Sequence, residues 1–155
     1  MRLKMRLNSS KHILLAIIFF LSIFSCSEES KTTSTTSSSF SKTSEKIDFL
    51  NRYVTFRREY QSLEFSINYI DGSSGRLPGP TEYQISIFAA VPPSQLKDWI
   101  SGCSPAGNTH NKSWFKEIPG TQDLQIESFS WFKADGKTVG ISQEKSQVAY
   151  HAFAR

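Results

Sequence analysis

Three side chains in this sequence could do chemistry together: Cys103, His110 and His151. A thiolate is a nucleophile when an imidazole stands beside it and a third group orients that imidazole. His110 follows Cys103 within one polar stretch, so the two can approach each other. The residues flanking Cys103 fit no Cys-hydrolase signature. An unreactive thiol tucked beside a neighbouring helix accounts for Cys103 more simply. The same three side chains could hold zinc with an added carboxylate, but their spacing fits no closed site type. We therefore expect no catalytic residue, no metal and no cofactor. His151 lies in an alternating stretch and is expected at a surface or sheet edge.

Two further groups suit binding. The stretch Gly72 to Pro80 is rich in glycine, serine and proline and contains Arg76. It lacks the Gly-Lys-Ser/Thr ending of a phosphate loop, so it reads as a long hairpin connection. Long ordered loops are where ligand contacts concentrate, which makes Arg76 a candidate partner contact. Trp99, Trp114, Phe115, Trp131 and Phe132 form an unusual aromatic concentration. On a surface they would stack on sugar rings or anchor a protein partner. Trp99 and Trp131 are expected in the core. Trp114 follows a polar loop and is expected at the surface, as a second candidate contact. Asn111-Lys112-Ser113 fits a glycosylation sequon, which matters only in a chain that meets that machinery.

The elements that must position these residues follow from periodicity. Ile47, Leu50 and Val54 fall on one side of a helix predicted from Ser44 to about Tyr60. Its start carries Glu45 and Asp48 and its end Arg57 and Arg58, as the helix dipole favours. Leu63, Phe65, Ile67 and Tyr69 alternate with polar residues, as do Tyr83, Ile85, Ile87, Ala89 and Val91, so two strands should pair antiparallel through the long loop. Pro92-Pro93 ends the second strand. A short helix with Leu96, Trp99 and Ile100 inside runs to Gly102. Trp114 to Ile118 should make one helical turn. Leu124 and Ile126 begin a third strand, bulged near Ser128 where the apolar phase shifts. Asp135-Gly136 marks a tight hairpin into 137–142, and 147–154 closes a meander. The expected fold is α+β: a mostly antiparallel sheet of about five strands, with an N-terminal helix and one or two short helices on one face.

The start of the chain has a different character. Arg2, Lys4, Arg6 and Lys11 precede the apolar run Ile13 to Phe24, which is 12 residues long. A membrane-spanning helix needs about 20 such residues, so the run is too short to span. A basic start, a short apolar core and a small residue before the break make an export signal. The ending Ile23-Phe24-Ser25-Cys26 resembles the lipobox of bacterial lipoproteins, with an aliphatic residue three before the cysteine and a small one directly before it. That resemblance implies cleavage before Cys26, a diacylglycerol thioether on its sulfur and an acylated amino group. It also implies that Ser27, where Asp would favour the inner membrane, favours the outer one. Residues 1–25 are then a signal peptide, 26–44 a lipidated cysteine and a Ser/Thr-rich disordered tether, and 45–155 a single domain. Fully extended, the 18 residues 27–44 would reach about 60 Å. From Leu63 onward the order of features also resembles uncharacterised small bacterial lipoproteins, which implies no particular activity.

Composition agrees with an exported, tethered chain. The formal net charge is +4, yet the four basic residues of the signal account for all of it and leave 14 basic against 14 acidic residues. Nucleic-acid binding needs a clustered basic footprint and is not expected. With Cys26 lipidated, Cys103 has no partner for a disulfide. The expected function is a membrane-anchored envelope lipoprotein acting as a non-catalytic binding or accessory module, with an envelope protein or glycan as partner. The alternatives are an inhibitor or immunity-type lipoprotein that plugs an attacking enzyme with the Gly72 to Pro80 loop, and an enzyme using Cys103.

Overall fold

The alternating segments form one antiparallel sheet. The structure, a computed structural model, describes residues 32–71, 82–107 and 111–154. The strands are β1 (Thr32–Thr36), β2 (Ser62–Ile70), β3 (Glu82–Ala90), β4 (Ser104–Pro105), β5 (Ser130–Ala134), β6 (Lys137–Ser142) and β7 (Gln147–Ala154). Their order is β1-β2-β3-β7-β6-β5-β4, and every neighbouring pair is antiparallel. The helices are α1 (Thr43–Leu50) and the single turn α2 (Leu96–Trp99), with 3-10 turns at Ser37–Ser39, Pro93–Gln95 and Ser113–Glu117.

This corrects the expected sheet of about five strands behind an N-terminal helix. The sheet has seven strands among the described residues, and a strand rather than a helix comes first. Thr32–Thr36, read from composition as disordered tether, is β1, paired from Thr32↔Ile70 to Thr36↔Ser66. Counting apolar groups misjudges such a segment. An edge strand needs one hydrogen-bonding partner, and β-branched threonine fits the pleat. The helix predicted to Tyr60 stops at Leu50. Beyond it Tyr53, Val54, Phe56 and Tyr60 still reach the core, from a turn and a non-helical segment. The strand expected from Leu124 is absent: the segment before β5 is turns and irregular chain, and β5 starts at Ser130.

Elements pack on both faces rather than one. Leu63, Phe65, Ile67, Ile85, Ile87, Ala89, Val139, Ile141 and Val148 build the larger core with Leu50, Leu96 and Trp99. The opposite face carries Ala149 and Trp131, covered by Trp114, Phe115, Ile118, Ile126 and Phe129, with Phe88 against them. Period-2 alternation puts odd residues of β2 and β3 on the first face and Phe88 on the second. The 3-10 turn at Ser113–Glu117 is held by Thr121, whose buried hydroxyl donates to the carbonyls of Phe115 and Ile118.

The second face also explains Gly140. It sits opposite Trp131 in the β5–β6 ladder, and the indole lies across it. A Cβ on Gly140 would meet the ring at 2.7 Å. Gly140→Ala should therefore destabilise the domain by roughly 2–3 kcal/mol, an overpacking cost. Urea denaturation checks this, and the loss should shrink when Trp131→Leu removes the ring. An equal loss in both backgrounds would detach the cost from the ring.

Candidate functional site

A cleft of about 300 Å³ opens on the first face, lined by Thr33, Thr35, Tyr53, Ile67, Tyr69 and Tyr83. Sheet register assembles it. Thr33 lies opposite Tyr69, and Tyr69 opposite Tyr83, so three strands contribute one row of side chains. Thr35 and Ile67 form the next row. Tyr53 reaches in from the turn after α1. Its ring centroid is 5.4 Å from that of Tyr83, and Tyr83 is 5.1 Å from Tyr69. All three tyrosines are half-buried, so part of each side chain remains accessible.

The lining sets the chemistry. Phenol rings present flat apolar faces with polar tips, and the two threonines add hydroxyls. No lining residue is charged. The cleft suits a neutral, hydroxyl-bearing ring ligand. Its size is at the lower end of small-molecule sites, about 300 Å³. A threonine nucleophile would need a base, and none lines the cleft.

Sequence reasoning missed this site although parts of it were legible. Tyr69 and Tyr83 belong to strands expected to pair. The missing signal was β1: with Thr32–Thr36 read as tether, the cleft has no outer wall.

The residues singled out from sequence do not converge. Cys103 is a half-buried free thiol packed at the margin of the first core, its Sγ 3.9 Å from the Ser101 carbonyl. Burial, and then the nearby Cys103, raise the Tyr150 phenol above its ordinary pKa. His151 lies on the other side of the sheet, so these two cannot share a reaction centre or a metal. His110 lies outside the described residues. Among the described residues, no three His, Cys, Asp or Glu side chains gather as a metal site.

His151 itself is a correction: it is buried, not at a surface or edge. Its ring stacks on Trp114 at 4.7 Å and 13°, and its Nδ1 is 3.0 Å from the Ser86 hydroxyl. Burial pushes its pKa down to about 4. Ser86 is itself buried, so this pair is sealed from substrate. Trp114 is only 4% exposed and therefore offers no surface contact. It serves as the lid on His151. Arg76 and Cys26 lie outside the described residues, as does the whole Gly72 to Pro80 loop on which an inhibitory role would turn. Trp99 and Trp131 are in the core, as expected.

Comparison of the chain with protein-family models, with curated proteins and with solved structures finds no match. Among the described residues no helix is long and apolar enough to cross a membrane.

The His151 environment gives a pH prediction. The folded pKa lies below the unfolded value of about 6.5, so the unfolded chain binds the proton first as pH falls. Stability is then full above that value, declines as pH falls toward 4 and levels off below it. The expected loss between pH 7 and pH 5 is about 2 kcal/mol. It should largely vanish in His151→Gln, read by urea denaturation at each pH. An unchanged slope in the variant would show that other groups carry it.

Proposed function

We propose that this protein is a membrane-anchored envelope lipoprotein whose domain is a non-catalytic binding module. The ligand we assign to the tyrosine cleft is a sugar ring of an envelope glycan. The cleft carries this reading: three phenol rings and two threonine hydroxyls with no charged lining residue. Sugar rings pair C–H faces with aromatic faces and hydroxyls with hydroxyls, which is the mixture that these side chains offer. The anchor rests on the export signal and the lipobox-like Ile23-Phe24-Ser25-Cys26, and the lipid would hold the module in the membrane.

The test is titration of the detergent-solubilised full-length protein with soluble peptidoglycan fragments, followed by tyrosine fluorescence and NMR shifts. Shifts should centre on Tyr53, Tyr69 and Tyr83. Tyr69→Ala should weaken binding about five- to tenfold, the worth of one aromatic contact. Tyr69→Phe, which keeps the ring, should weaken it less. Shifts centred elsewhere, or none at millimolar fragment, would contradict the assignment.

A further inference from the structure

The lipid leash is far shorter than composition implies, and it enters the sheet at one defined end. If Cys26 carries the anchor, only residues 27–31 separate it from β1, which begins at Thr32. Whatever their conformation, the six residue steps from Cys26 to Thr32 span at most about 20 Å. The 18-residue tether read from composition would have reached three times as far.

Register fixes what lies at that end. Thr32 is opposite Ile70, where β2 ends, and Ile70 is opposite Glu82, where β3 begins. Next along the sheet Tyr83 pairs with Ala154, at the close of β7. The β5–β6 turn arrives there too, since the Phe153 amide donates to the Gly136 carbonyl at 3.0 Å. Phe153 is 52% exposed, the more exposed of the two large apolar side chains on the described surface. The opposite end holds the turn between Ser142 and Gln147, one length of β7 away, or roughly 25 Å.

We propose that the Thr32–Glu82–Phe153 end of the sheet faces the lipid surface that carries the Cys26 anchor, and that the cleft therefore takes ligands presented at that membrane. Thr33 and Thr35 wall the cleft within three residues of the point where the leash enters. The site is thus held close above the headgroups. A glycan strand far from the bilayer is out of reach, whereas a membrane-proximal or lipid-linked saccharide is within it. Phe153 supplies an apolar contact at the same end, where aromatic side chains favour the membrane–water interface. This inference rests on the lipoprotein reading of Cys26.

The test uses the full-length lipidated protein in phosphatidylcholine–phosphatidylglycerol vesicles, with Cys103→Ser to remove the second thiol. A fluorophore is placed on Asp135→Cys, in the turn beside Phe153, or on Glu144→Cys, in the turn at the far end. A short-range quencher is attached to the lipid headgroups. Quenching should be several-fold stronger at position 135. Inserting 15 Gly/Ser residues between Ser30 and Lys31 should erase most of that difference. Equal quenching at both positions in the unmodified chain would overturn the proposal. Intact mass of the membrane-extracted protein separates the two levels of failure. Acyl chains present with equal quenching sinks the orientation alone, and acyl chains absent sinks the lipoprotein reading with it.

Discussion

Residues 32–50 are wrapped around one edge of the sheet, and most of what is specific to this molecule depends on that wrap. β1 pairs with the last five residues of β2 only, from Ser66 to Ile70. Beyond Ser66 the chain leaves the ladder through the turn at Ser37–Ser39. Glu64 then gathers two donors: the buried Ser37 hydroxyl and the Lys46 ammonium of α1, the latter at 2.6 Å. Phe40 follows, packed on Phe49 of α1 and Phe65 of β2. An exposed ladder edge invites pairing with other chains, and here strand, turn and helix successively cover it. The same wrap supplies the outer wall of the tyrosine cleft.

The second organising feature is a sheet that is apolar on both faces. A sheet covered on one side alternates apolar with polar residues. Here Phe88, Ala149 and Trp131 put a second core behind the first. The segment from Trp114 to Phe129 closes it with little regular structure. It is held by Thr121 and by ring contacts such as Trp114 with Trp131 at 6.2 Å. The consequence for function is separation. Cys103 and His151, which the sequence offers as a candidate thiol and base, lie on opposite faces. The imidazole becomes a buried neutral group instead of a base.

Strong alternation and turn chemistry made much of the sheet legible in the sequence. Leu63 to Tyr69, Tyr83 to Ala89 and the Asp135-Gly136 hairpin lie in β2, β3 and the β5–β6 turn. What escaped was decided by tertiary context. Thr32–Thr36 has no apolar face, so its strand exists only because β2 offers an edge. Residues 51–60 carry helix-compatible spacing, yet Tyr53, Phe56 and Tyr60 gain more by reaching Tyr83, Trp99 and Tyr150 from a non-helical path. The alternation starting at Leu124 did not become a strand: Leu124 is 41% exposed, and Ile126 is buried from irregular chain. The tyrosine cleft was illegible for the first of these reasons: its tyrosines were visible, and its wall was not.

The pairing of β1 with β2 is therefore the claim to test first, and amide hydrogen exchange of residues 32–36 in the full-length protein tests it directly. The account predicts slow exchange at alternate amides of β1, those that face β2, with fast exchange at the outward ones, as befits an edge strand. Uniform exchange at the rate of an unstructured chain would contradict it. That result would return these residues to a long tether, remove one wall of the cleft and, with it, the ground for the proposed membrane-facing orientation.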